Sequence, residues 1–319
     1  MLRWPIHWLS PGGAAARLTI LIYHRVLPRL DPMNPDEPDA RAFESQMAWV
    51  RDWFNVLPLS EAASRLAQGT LPARALSITF DDGYADNREI AAPILQRLGL
   101  SATFFIATSF LGGGCMWNDR VIEALRACEK EAIDLTAVGL GVRRLDDAPR
   151  RRQVAIEALR AIKHLEPRQR SHAVESIVSA AGAPAAPPLM MSVDQLREMR
   201  ELGMEIGAHT ITHPILCRLN AQEAHHEIAD GRRELEAILR SPVTLFAYPN
   251  GVPQKDYSLE HVHMVRELGF TAAVSTAWGA ASRRSDRHQL PRFTPWDGTR
   301  WRYGARLMAN LRRRELAAA

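Results

Sequence analysis

Short runs of β-branched and apolar residues alternate with longer stretches of helical spacing along most of this chain, and that rhythm limits the fold more than any other feature. The runs are LTILIY at 18–23, ALSITF at 75–80, ATFFIA at 102–107, MEIGAH at 204–209, VTLFAY at 243–248, TAAVST at 271–276 and HQLPRF at 288–293. Strand-sized runs separated by helix-sized segments predict repeated βα units and a parallel sheet. Seven or so such units fit an α/β barrel of (β/α)7 type better than a small open sheet.

Apolar residues at three- and four-residue spacing predict helices over 87–98, 193–202 and 221–240. Leu-Gly pairs end three helical stretches just before a strand, in LGL-SATFF, LGM-EIGA and LGF-TAAVS, as expected where glycine stops a helix. Residues 112–191, rich in Arg, Ala and Glu, interrupt the rhythm and read as a mainly helical insertion joined through GAPAAPP at 182–188. The stretch is short of the β-branched and aromatic residues that a self-sufficient core draws on, so residues 1–319 are expected to form one domain. Its core would span about 18–295, with a C-terminal helix at about 300–316, while the proline-rich segment 28–38 reads as a surface loop.

With 46% hydrophobic and 24% charged residues, the composition is that of a globular chain and excludes disordered and fibrous classes. A net charge of +4 and a pI near 9.2 favour anionic neighbours, but no nucleic-acid recognition motif accompanies the charge, so no nucleic-acid partner is expected. Arginines cluster at Arg143, Arg144, Arg150, Arg151 and Arg152 and again at Arg306, Arg312, Arg313 and Arg314, where solvated helix faces and an anion site are the competing readings. The C-terminal RWRYGARLMANLRRR reads either as a helix closing the barrel bottom or as a basic amphipathic helix making peripheral membrane contact. Cys115, Cys128 and Cys217 form an odd, widely spaced set that suits a reducing compartment. The N-terminal stretch lacks the apolar run of a secretory signal, and no run reaches membrane-spanning length, so a cytoplasmic location is expected.

Two strings carry chemistry. SITFDDGYADN at 77–87 ends a buried-type strand in adjacent carboxylates, Asp81 and Asp82, at the face where barrels build their active sites. A cation relieves the repulsion between them and leaves one free to accept a proton; a DG turn with solvated acids is the alternative. GAHTITHPIL at 207–216 places His209 and His213 four residues apart after a second strand. A helical turn there would put both imidazoles on one face, facing a divalent metal, and a packing or capping pair is the alternative. Taken together the strings favour a metal site of two imidazoles and one carboxylate, which suits zinc, with cobalt or nickel as the other candidates.

TFDDGY, HTxxHP and then FAYPNG at 246–251, in that order, resemble the polysaccharide deacetylase family with the NodB homology domain. The resemblance implies a distorted (β/α) barrel and hydrolysis of the acetamide of an N-acetylated sugar. It carries over Asp81 as base and Asp82, His209 and His213 as metal ligands, with the ion polarising the acetyl carbonyl while Asp81 takes a proton from water. It also points to a backbone N–H at Tyr248 as an oxyanion donor, which brings Tyr248 and Pro249 to the substrate.

This chain departs from that pattern twice. Ala247 stands where many members carry an Arg that orients the base, and Arg292 in LPRF is the candidate replacement. The His expected after a Leu near the end to protonate the leaving amine is missing; His288 and His24 are the candidates, and His24 is preferred because it ends the first strand. At the mouth of the insertion, Trp117 and Asn118, with Asp119, could contact sugar or cap a helix, and Trp296 and Asp297 after the last strand read as rim packing or substrate contact. The partner expected is an N-acetylated glycan or sugar precursor. Hydrolysis of a cyclic amide or ureide, as in allantoinase-like enzymes, and a silent glycan-binding protein on the same fold are the competing functions.

Overall fold

The computed structural model describes residues 2–294 and 297–313. Its strands are β1 (Leu18–Tyr23), β2 (Asn55–Val56), β3 (Ala75–Phe80), β4 (Thr103–Ile106), β5 (Ala132–Asp134), β6 (Val142–Arg144), β7 (Glu205–Ala208), β8 (Leu245–Ala247) and β9 (Ala272–Val274). The helices are α1 (Arg3–Leu9), α2 (Ala40–Trp53), α3 (Leu59–Gln68), α4 (Ala92–Arg97), α5 (Trp117–Ala127), α6 (Ala148–Ile162), α7 (Pro167–Ala181), α8 (Val193–Glu201), α9 (Ala221–Leu239), α10 (Leu259–Glu267) and α11 (Arg300–Arg312).

The main sheet is parallel and curled, in the order β1-β3-β4-β7-β8-β9, with the short β2 beside the start of β3. Every residue of β1 and β3 is buried, because a parallel barrel sheet is covered on both faces and its strands become continuous apolar runs. Alternate residues feed two cores. Leu18, Ile20, Leu245, Ala247, Ala272 and Val274 face inward and are closed by α3, while Leu21, Tyr23, Phe246 and Ala273 face the outer helices.

The segment 288–293, expected as a seventh strand, closes the curl with only isolated bridges, Leu290 to Val274 on one side and Phe293 to Leu21 on the other. Pro291 between them has no N–H to donate, so no regular ladder forms. The helix expected at 87–98 begins with a π turn over Asn87–Ala91 before α4. Pro93 explains it: a proline inside a helix removes one i to i−4 bond, and a wider turn absorbs the gap.

The insertion is mainly helical, as expected, and adds a small antiparallel hairpin of β5 and β6 that was not foreseen. Only Ile133 of β5 is buried, an alternation too brief to register in sequence. Val121, Leu125, Ile133, Val154, Ile162, Val174 and Ile177 form a separate apolar cluster here, to which the 28–38 loop contributes Met33. Helix α11 lies along the flank of β1 rather than across the barrel bottom. Its Tyr303 reaches the Tyr23 hydroxyl at 3.0 Å, and the Leu311 carbonyl accepts from Arg17 at 3.0 Å. The last residues assigned to this helix in sequence, 314–316, and Trp296 lie outside the described residues. Asp297 pairs with Arg306 of the same helix. No helix among the described residues is long and apolar enough to cross a membrane.

Candidate active site

Strand alternation decides which side chains reach the barrel mouth. On β3, Ser77 and Thr79 face inward, so Asp81 two residues on does too, and its N–H donates to the Tyr23 carbonyl at 3.0 Å. The same count from Ile20 brings His24 inward, and the count from Gly207 brings His209. Asp82 would point outward on this rule. It does not, because its φ of 77° is left-handed and turns the side chain back toward Asp81, a strained state for a non-glycine residue that persists only where the surroundings hold it.

Asp82, His209 and His213 each offer a ligand atom, and those atoms lie within 4.8 Å of one another. The Nε2 atoms of His209 and His213 stand 3.6 and 3.4 Å from Asp82 Oδ1, which is buried without a hydrogen-bond partner. An orphaned buried carboxylate oxygen facing two imidazole nitrogens fits a divalent cation. His209 Nδ1 meets the Ala247 carbonyl at 2.7 Å, which puts the proton on Nδ1 and turns the Nε2 lone pair toward the centre. Burial pushes His213 down to about 4 against the pull of Asp82, so it is the neutral imidazole a metal needs at neutral pH. Burial pushes Asp82 up, but His213 first and then His209 and His24 outweigh it and hold the carboxyl below its usual range.

The two histidines do not share a helical face. Thr210 and His213 have φ of 67° and 54°, and the loop is held from α9, whose Glu227 accepts from the Ile211 and Thr212 amides at 2.9 and 2.8 Å. Gly231, one turn further along α9, lets the helix approach, since a Cβ there would lie 2.8 Å from the Thr210 carbonyl carbon.

Arg292 is fully buried and grips Asp81 with two bonds, Nη1 to Oδ1 at 2.6 Å and Nη2 to Oδ2 at 2.7 Å. Its Nε donates to the Ser275 carbonyl at 2.9 Å, so the guanidinium is fixed from both sides. Burial raises the Asp81 pKa, and the Arg292 guanidinium together with His209 and His24 outweighs that, holding the carboxylate below the ordinary value.

Asp81, Asp82, His209 and His213 line a cavity of about 440 Å³, together with His24, Trp117 and Asn118. Asp119 reaches back from the first turn of α5 to the Met116 amide at 3.3 Å and accepts from the Tyr84 hydroxyl at 3.0 Å. Two of the residues expected at the substrate stand off the cavity lining. Tyr248 does not line the cavity: its ring stacks on Tyr257 at 3.9 Å between centroids, its hydroxyl donates to the His288 carbonyl, and its amide donates to Val274 at 3.2 Å. A donor spent on the sheet is not available to an oxyanion, and Pro249 is also absent from the lining. Asn250 and Thr276 line it instead, Asn250 with a left-handed φ of 59°; the PNG turn was the sequence signal for Asn250. His288 is buried away from the cavity, with Nε2 3.0 Å from the Phe270 carbonyl, which leaves His24 as the one of the two candidates that lines it.

The family model for polysaccharide deacetylase matches residues 68–273, more than half of the chain. His24 and Arg292 fall outside that segment. The Bacillus subtilis (strain 168) protein YxkH, assigned by name to the polysaccharide deacetylases, is 25% identical over 279 residues, covering 87% of this chain and 71% of its own. Among solved structures, the Streptococcus pyogenes deacetylase PplD, in complex with acetate, superposes with a TM-score of 0.61 at 19% identity, covering 93% of this chain and 99% of that one. IcaB from Ammonifex degensii superposes with a TM-score of 0.60 at 19% identity, covering 93% and 97%. Together with the motifs and the curled parallel sheet, these findings place the chain in the polysaccharide deacetylase family, as a carbohydrate N-deacetylase.

Proposed function

We propose that this protein removes the acetyl group from an N-acetylated sugar of a glycan or glycan precursor, using a divalent ion held by Asp82, His209 and His213. The observation that carries this reading is the buried, unpartnered Asp82 oxygen facing two imidazole nitrogens beside a second, ionised carboxylate. Two imidazoles and one carboxylate favour zinc, with cobalt and nickel next. When bound, such an ion supplies carbonyl polarisation and a more acidic water.

The chain's own residues do the rest. Asp81, kept ionised by Arg292, accepts the proton of the attacking water. His24 also lines the cavity; burial lowers its pKa, but Asp82, Glu37 and Asp81 outweigh that and raise it above the ordinary value. A histidine whose proton is held more tightly than usual suits delivery to the leaving amine. Trp117 offers an indole face to a sugar ring and Asn118 an amide to its hydroxyls. The insertion is part of the same catalytic unit, as the wall of this cavity. The three free cysteines support a reducing, cytoplasmic setting.

Acetate release from N-acetylglucosamine-containing glycans, with added zinc and with Asp81→Asn as control, tests the reading. The expected result is zinc-stimulated release that the variant loses. Turnover of a cyclic amide with none on any acetylated sugar would redirect the assignment to another C–N bond.

A further inference from the structure

The insertion supplies one wall of the active-site cavity, and that wall is basic. On α6, Ile156, Leu159, Arg160 and Lys163 line the cavity, a spacing that places all four on one helix face. Arg170, in the first turn of α7, lines it as well and lies over the Trp117 ring, 5.0 Å from its centroid.

Five other arginines of the insertion meet carboxylates. Arg120 meets Glu175, Arg126 meets Asp31, Arg143 meets Glu157, Arg144 meets Asp146 and Arg152 meets Asp36. Among the described residues Arg160, Lys163 and Arg170 form no such ion pair. Arg170 also stands at the positive end of a helix dipole, where a cation is opposed rather than favoured. Burial lowers its pKa, with Glu166, the cap of α7, as the one acid that counters it. Cations gathered along a cavity wall without carboxylate partners are stabilised by an incoming anion.

We propose that Arg160, Lys163 and Arg170 form an anion subsite, and that the N-acetylated substrate carries a phosphate or a carboxylate next to its acetamide-bearing sugar. The subsite deepens the deacetylase reading and rests on it for the identity of the reacting group. The adjoining apolar residues Ile122, Ile156 and Leu159 then pack against the sugar or its neighbour while the cations hold the charged group.

The zinc-loaded full chain is assayed on N-acetylglucosamine 1-phosphate, on a disaccharide of glucuronic acid and N-acetylglucosamine, and on neutral chitobiose. One anionic probe is expected to exceed chitobiose about tenfold or more in kcat/KM, mainly through KM, with a preference that falls as salt rises. The arm that shows the preference identifies phosphate or uronate. Arg160→Gln/Lys163→Gln/Arg170→Gln should erase the preference, and Arg170→Lys should retain most of it. Equal use of charged and neutral probes by the native chain, or an equal loss on both in the triple variant, overturns the proposal. Should no probe release acetate, the deacetylase reading fails separately. Calorimetric titration with N-acetylglucosamine 1-phosphate then decides the subsite: weaker binding by the triple variant upholds it, and equal binding overturns it.

Discussion

Asp81 can act as a base only while ionised, and in a site this buried its ionisation depends on Arg292. Arg292→Met should lower kcat by about a hundredfold or more while changing zinc affinity little, because the lost contacts are to Asp81 and not to Asp82. Without the guanidinium the Asp81 pKa rises, so the acid limb of the pH–rate profile moves to higher pH. An unaltered rate, or zinc affinity falling in step with it, would remove Arg292 from the mechanism. Asp119 gives a second test, through stability. Burial holds its carboxyl up at about 7 against the opposing Arg25 and Tyr84. A carboxyl raised in the folded state binds a proton that the unfolded state has lost, so its stabilising effect is full below the unfolded pKa and disappears as pH rises through the folded one. Asp119→Asn should therefore compare worst with the native chain near pH 5 and best near pH 8, as thermal unfolding at each pH will show. A pH-independent difference would contradict the raised pKa.

At the scale of elements, the arrangement of Asp82, His209 and His213 depends on α9 as well as on the strand that precedes the histidines. Glu227 holds the loop amides and Gly231 permits the approach. Glu227→Gln is expected to cost about tenfold in zinc affinity. Gly231→Ala should destabilise the fold by about 1–3 kcal/mol, since the helix must shift away from the Thr210 backbone. Both effects are read by zinc titration and denaturant unfolding; native affinity in both variants would place control of the loop elsewhere. This dependence also explains a misreading. His209 and His213 suggested a helical turn, but their convergence comes from two left-handed residues, Thr210 and His213, held by a helix that begins well after them. Nothing in a four-residue spacing distinguishes the two.

For the molecule as a whole, a metal bound to the folded chain alone adds stability by mass action. Zinc at 100 to 1,000 times its Kd should add about 3–4 kcal/mol and raise Tm by several degrees. Asp82→Asn should abolish the gain and a chelator should reverse it; a Tm indifferent to zinc in the native chain would count against the site. The insertion belongs at this scale too, because it brings Trp117, Arg160 and Arg170 from three different helices to one cavity. Its arginines look alike in sequence. Only folding separates those that meet carboxylates from those that face the active site.

The sequence by itself determined the parallel sheet, most of its strands and the inward set of Asp81, His24 and His209, because two-residue alternation and a buried apolar run are properties of local order. It also marked the carboxylates and imidazoles that the fold brings together, through DDG and HxxxH. Tertiary structure decided what local order cannot encode. Pro291 turned an expected strand into two isolated bridges, and the sheet took the Tyr248 amide and left Asn250 at the cavity. Arg292, distant in the chain, met Asp81. Each of these depends on which distant group occupies a neighbouring space, and packing across the barrel sets that.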